Sequence, residues 1–154
     1  GGEGQGIVKM MKELPRERLI LGVGCVGAAQ GAFDLTVAYI TERQAFGQAV
    51  SDFQNSRYKL AEMKTDIELC RAMAEKYTAQ FIAGDLTSAE ASMLKLAASE
   101  MQGRVADQCV QMFGGYGYMT EYPISRAYLD ARIQRIYGGT SEIMKELISR
   151  SIVN

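Results

Sequence analysis

LAEMKTDIELCRAMAEKYTAQF, residues 60–81, sets Leu60, Met63, Ile67, Cys70, Ala74, Tyr77 and Phe81 at intervals of three and four without a break. Side chains three and four apart share one face of a helix, so the stretch reads as a long amphipathic helix. Ser51 and Gln54 offer a capping-box pair ahead of it and Gly84-Asp85 stops it. At 1.5 Å per residue it would be roughly 50 Å long. Downstream, Thr87 and Glu90 repeat the capping-box signature, and Ala91, Leu94, Ala98, Met101, Val105, Cys109 and Met112 predict a second long helix. Upstream, Leu19, Val23, Val26, Phe33, Val37 and Ile40 predict another, ending near Glu42. Gly114-Gly115-Tyr116-Gly117 breaks the pattern, Tyr122-Pro123 opens a shorter helix to about Ile133, and after Gly138-Gly139 Thr140 can cap a last one. Three long and two shorter helices joined by short loops predict an all-α fold, an antiparallel up-and-down four-helix-type bundle. Residues 1–13, rich in glycine at the start, are expected to be a linker from upstream domains, and residues 14–154 the bundle, with Pro15 at the first helical turn.

The chain has 154 residues, one domain's worth, and 47% are hydrophobic, enough for a core. Seventeen basic and eighteen acidic residues give a net charge of −1, so nothing favours nucleic acid or an anionic membrane. No His occurs, which removes His-based acid–base chemistry, and no metal site is expected. Cys25, Cys70 and Cys109 are far apart and read as core residues in a reducing compartment. The apolar stretch from Leu19 to Ile40 is interrupted by Gln30 and Asp34, and its charge-free part is too short to span a bilayer.

Several signals carry two readings each. Gly22-Val23-Gly24-Cys25-Val26-Gly27 matches GxGxxG, but it lies inside a helical seam with no strand before it, so the phosphate-binding turn cannot form. Gly22, Gly24, Gly27, Ala28 and Gly31 instead make a thin helix face for close packing or passage of a ligand. Arg43 follows a helix end, where the macrodipole favours a cation and where a phosphate contact is the alternative. Gly114 and Gly115, next to Gln111, are a C-cap or a set of open N–H donors for an adenine or phosphate. Glu17 and Glu142 each lie in a first helical turn, where a surface acid is the ordinary occupant.

Taken together, Arg43-Gln44-Ala45-Phe46-Gly47 with Gln54, Gln111-Met112-Phe113-Gly114-Gly115-Tyr116-Gly117, Glu121-Tyr122-Pro123, Asp130-Ala131 and Ile136-Tyr137-Gly138-Gly139-Thr140-Ser141-Glu142 resemble the C-terminal helical domain of the acyl-CoA dehydrogenases. The resemblance implies FAD as cofactor and an acyl-CoA thioester as substrate, desaturated between its α and β carbons. It further implies electron-transfer flavoprotein as acceptor, a homo-oligomer (dimer or tetramer), and a mitochondrial matrix or bacterial cytoplasmic setting. Arg43, Phe46, Gln54, Gln111, Gly114 and Gly115 would contact the dinucleotide of a neighbouring subunit, and Thr140, Ser141 and Glu142 that of their own. Tyr137, Gly138 and Gly139 would lie beside the thioester.

Most of the family carries its catalytic glutamate where this chain has Gly138. A smaller group, which includes the long-chain type, carries it before an arginine on the domain's first helix, where this chain has Glu17-Arg18. The resemblance therefore implies Glu17 as base, with Arg18 helping to hold the substrate. One carboxylate can serve from either place, because only its oxygen must reach the α-carbon, and a carboxylate taken out of water is a stronger base. The rival expectations are a helical oligomerisation module without chemistry and an acyl-CoA oxidase.

Overall fold

The computed structural model describes residues 2–153. α1 (Gly6–Glu42) is followed by a two-residue-per-strand hairpin, β1 (Gln44–Ala45) and β2 (Gln48–Ala49), then by α2 (Gln54–Ala83), α3 (Ser88–Phe113), α4 (Pro123–Ile133) and α5 (Ser141–Val153). Single 3-10 turns, Val50–Asp52 and Gly114–Tyr118, precede α2 and follow α3.

α2 and α3 form an antiparallel hairpin, tied near the turn by Gln80 and Glu90 (3.0 Å) and farther along by Arg104 and Asp66 (2.9 Å). α1 runs parallel to α3. Arg18 meets Ser88 at one end, Gly22 meets Leu94 a turn later, and Tyr39 stacks on Phe113 at the other end, ring centroids 4.0 Å apart. α4 returns from Tyr122 beside Phe113 to Arg135 beside Glu100. α3 thus lies in the middle, and its buried face is broad: Ala91, Leu94, Ala98, Met101, Val105, Ala106 and Cys109 are buried, and Ser92, Lys95, Ser99 and Gln102 beside them.

Helix ends follow the side chains in most places. Thr87 accepts the Glu90 N–H and Glu90 accepts the Thr87 N–H, a complete capping box. Gly84 ends α2 at φ 85°, a left-handed conformation that costs a glycine little. The Thr140 hydroxyl caps α5 by accepting the Ile143 N–H.

Three local expectations change. The helix begins at Gly6, so it takes in residues 6–13 of the stretch expected to be a linker, and Pro15 lies inside α1. Once the packed turns beyond Arg18 have nucleated the helix, each added residue costs little, and the missing Pro15 donor removes one bond. The pair Ser51 and Gln54 forms no capping box, because the 3-10 turn absorbs Ser51, Phe53 stands at the N-cap, and the Gln54 amide donates to the Tyr58 hydroxyl (2.7 Å). The loop at Phe46-Gly47 is a hairpin with both central residues at positive φ (51° and 81°), the primed turn that matches strand twist.

The glycine face of α1 divides. A Cβ on Gly22 would lie 2.6 Å from Leu94 Cγ, so Gly22 is there for close packing, whereas nothing lies within 4 Å of such an atom on Gly24, Gly27 or Gly31. The helix continues straight through all of them, leaving no turn for a dinucleotide. By length and composition α1 is apolar enough to cross a membrane, yet Arg18, Leu19, Gly22, Cys25, Val26, Ala29, Ala32, Thr36 and Ile40 form its buried stripe inside the bundle. All three cysteines are buried, and burial pushes the Cys25 thiol up to about 12 and that of Cys109 to about 11, which makes both inert.

Candidate functional site

The site residues named from the sequence gather at the two ends of the α1–α3 pair. Twenty-five residue steps, all but the last within α1, lead from Arg18 to Arg43, about 37 Å at 1.5 Å per residue.

At the far end, where α1 and α3 both terminate, a hollow of about 580 Å³ is lined by residues that include Tyr39, Arg43, Gln111, Gly114, Gly115 and Tyr116. Phe113 stacks on Tyr39 and meets Tyr122 edge-on (6.2 Å), which fixes the floor. Gly114 takes φ 62°, ψ −140°, a conformation suited to glycine, and no atom stands within 4 Å of a Cβ on Gly114 or Gly115. Arg43 is exposed, its guanidinium 5.7 Å from the Tyr116 ring centre, and no carboxylate pairs with it among the described residues. An unpaired fork of donors beside open backbone and a flat aromatic fits a phosphate and an adjoining ring system. Phe46, 99% exposed at the tip of the hairpin, and Gln54, whose amide is engaged by Tyr58, do not line the hollow.

At the near end the loop Tyr137–Thr140 lies against the start of α1 and α3. Gly138 (φ 66°) and Gly139 (φ 103°) both need a left-handed backbone, and a Cβ on Gly139 would strike Met144 Cε at 2.6 Å. Over Gly138 the only atom within 4 Å of a Cβ would be Leu21 Cδ1, at 3.3 Å. Glu17 is one turn before Leu21, on the same stripe of α1, and is exposed.

Arg18 turns the other way. It is buried, and its guanidinium donates to the Gly138 carbonyl (Nε, 3.3 Å) and the Ser88 hydroxyl (Nη1, 3.5 Å). Burial lowers its pKa, with the Glu17 charge opposing. Arg18 is expected to help hold the substrate; here one of its donors goes to the loop and one to α3, so any such help passes at least in part through the position of Gly138. Beside it stands Lys95, which no sequence motif singled out, although a lysine one turn after Ala91 and next to Leu94 on a buried face was the available signal. It is fully buried, and its ammonium donates to the Gly139 carbonyl at 2.6 Å. Burial lowers its pKa, the nearby Cys25 thiol opposing and Arg18 and Arg135 adding to the effect.

The Gln134 side-chain oxygen accepts from the Tyr137 hydroxyl (2.6 Å) and the Cys25 thiol (3.8 Å) and so fixes the Tyr137 ring. Thr140 spends its hydroxyl on the α5 cap, while Ser141 is buried with its hydroxyl oxygen unpartnered. Glu142 is exposed in the first turn of α5, its pKa lowered by its own backbone N–H and the Thr140 hydroxyl.

Fold and candidate site together define a helical bundle with glycine-bearing loops at both ends of the α1–α3 pair and a hollow at one of them. The chain belongs to the acyl-CoA dehydrogenase family: the family's model, described as acyl-CoA dehydrogenase, C-terminal domain, matches residues 4–153. Over its whole length the chain is 50% identical to the long-chain specific acyl-CoA dehydrogenase, mitochondrial, of Sus scrofa and 49% identical to that of Rattus norvegicus, spanning 36% of each. A crystal structure of an acyl-CoA dehydrogenase from Geobacillus kaustophilus superposes with a TM-score of 0.96 at 42% identity, over all of this chain and 40% of that one. The chain thus spans little more than a third of the length of the curated relatives it matches.

Proposed function

We propose that the full-length protein is an FAD-dependent acyl-CoA dehydrogenase of the long-chain type that introduces an α,β double bond into an acyl-CoA thioester, with Glu17 as the base. The observation that carries this reading is the packing of Leu21, one turn after Glu17 on the same stripe of α1, against Gly138. A side chain at position 138 would press on Leu21 of that stripe, its Cβ 3.3 Å from Leu21 Cδ1.

The residues present fit the dinucleotide: Arg43, Gln111, Gly114 and Gly115 would hold its phosphate and adenine side, and Thr140, Ser141 and Glu142 its flavin side. The hydroxyl of Ser141, buried without a partner, is a polar atom that such a ligand satisfies. Because about 37 Å of α1 separates the two groups, they serve two different dinucleotides, one held jointly with another copy of the chain. The fully exposed Phe46 ring projects from the same end and suits that shared surface. Bound FAD supplies the hydride acceptor for the β-carbon.

Glu17 takes the α-proton onto a carboxylate oxygen. Gly138 leaves room for the thioester, and Tyr137, held by Gln134, forms its wall. The electrons then leave to an electron-transfer flavoprotein; relatives named as mitochondrial and relatives from bacteria support a setting in the mitochondrial matrix or the bacterial cytoplasm. In the full-length enzyme Glu17→Gln should retain flavin and bind acyl-CoA while bleaching of the flavin slows by at least about 100-fold. Wild-type bleaching rates in Glu17→Gln would place the base elsewhere.

A further inference from the structure

Lys95 is a fully buried cation in the middle of the bundle with no carboxylate within ion-pair distance among the described residues. Its charged neighbours Arg18 and Arg135 repel it, Glu100 is engaged by Arg135 at 3.7 Å, and the Cys25 thiol stays protonated. A methionine of similar volume would fill the space without desolvating a charge. What the lysine has that methionine lacks is its hydrogen bond to Gly139.

The geometry of the loop shows what that bond does. Arg18 and Lys95 reach in from α1 and α3 and hold two successive carbonyls, those of Gly138 and Gly139. In a trans peptide the N–H points opposite to the carbonyl, so the N–H groups of Gly139 and Thr140 are directed away from the two cations. The loop's own backbone bonds run from Tyr137 N–H to Ile133 and from Ser141 N–H to Arg135, bypassing the N–H groups between. Two glycines at positive φ have no side chains to limit their backbone, so orientation must be imposed from outside.

We propose that Lys95 is a positioning residue for the reaction: its ammonium, acting through the Gly139 carbonyl, locks the Tyr137–Thr140 loop in the orientation that presents Gly138 to the thioester and to Glu17. The assignment rests on the acyl-CoA reading above. Lys95 itself touches neither substrate nor cofactor.

The test uses the full-length holoenzyme with Lys95→Met, which keeps volume and loses the donor, and Lys95→Arg, which keeps a donor. Two quantities are read. The first is amide hydrogen exchange of residues 137–141 without substrate. The second is the rate of flavin bleaching by saturating palmitoyl-CoA, together with the concentration that half-saturates it. In Lys95→Met, exchange in the loop should rise at least tenfold while flavin content and melting temperature hold. Bleaching at saturation should fall by about tenfold to a hundredfold, as a misplaced reacting group demands, with half-saturation changed less than threefold. Lys95→Arg should restore most of both. Unchanged loop exchange, or faster exchange with wild-type bleaching, overturns the proposal. Equal loss of flavin or melting temperature in both variants assigns Lys95 to the core and overturns it too. If wild-type flavin is not bleached by palmitoyl-CoA, the acyl-CoA reading fails, and loop exchange alone decides whether Lys95 holds the loop.

Discussion

Gly22 offers a direct measure of how tightly α1 and α3 are matched. An alanine there would put a Cβ 2.6 Å from Leu94 Cγ, 3.0 Å from its Cδ2 and 3.4 Å from its carbonyl carbon. The Cγ is near the root of the leucine side chain, so it cannot swing clear, and the helices must separate or Leu94 must leave its rotamer. Overpacking of that kind costs about 1–3 kcal/mol. Alanine gains about 1 kcal/mol over glycine in helix propensity, so Gly22→Ala should destabilise by up to about 2 kcal/mol. Gly24→Ala, with nothing within 4 Å, keeps only the gain and should stabilise by about 1 kcal/mol. The difference between the variants isolates the steric cost. Urea unfolding of the domain, followed by far-UV circular dichroism at neutral pH, reads both values. Leu94→Ala alone should cost about 2–5 kcal/mol but appreciably less in the Gly22→Ala background, because it removes the atoms that clash. If Gly22→Ala is as stable as Gly24→Ala, the α1–α3 contact is not the constraint described.

Arg43→Ala in the full-length enzyme should weaken flavin retention about tenfold to a hundredfold, the worth of a charge-assisted hydrogen bond. The apo-protein should lose no more than about 0.5 kcal/mol, since its contact with the exposed Tyr116 ring is weak; flavin titration and thermal melting separate the two. Thr87→Ala should cost about 1 kcal/mol at pH 7 through loss of the α3 cap. The Glu90 carboxylate is held below its ordinary value by the Thr87 N–H and hydroxyl, then by Gln80, so its contribution is complete above pH 4.5 and disappears as pH falls through the lower folded value. The deficit of Thr87→Ala in urea unfolding should therefore shrink below pH 4.5. Gly138→Glu in the Glu17→Gln background should recover part of the bleaching rate. It should also lower stability by about 1–2 kcal/mol, because position 138 sits at φ 66° and Leu21 must give way.

The helices were readable because each depends on local spacing: the three-four run from Leu60 to Tyr77, the Thr87–Glu90 pair and Gly84 determine their elements with few neighbours. Features that depend on tertiary context were not. Phe46 takes a left-handed turn conformation that its side chain disfavours, so nothing in its chemistry announces the hairpin. Pro15 looked like a helix start because its cost in an interior is visible in sequence, whereas the packing that offsets it is not. Glu17, Arg18 and Gly138 were legible as a group only through family resemblance, and that could not show Arg18 turned inward onto the loop. Lys95 illustrates the remaining limit: periodicity marks which face is buried, but not that a charge on that face has found a single carbonyl.

Because one unbroken helix carries Arg18 and ends at Glu42, one residue before Arg43, the two ends of the domain are geared to each other. The twenty-five residue steps from Arg18 to Arg43 make almost seven full turns. Inserting or deleting a single residue within α1 beyond Gly22 would rotate Arg43 by about 100° and shift it by about 1.5 Å, leaving the Gly22–Leu94 contact where it is. A one-residue step therefore turns the two ends out of phase, and a seven-residue step, short of two turns by only about 20°, keeps the rotation but moves Arg43 about 10 Å along α3 and takes Tyr39 off Phe113.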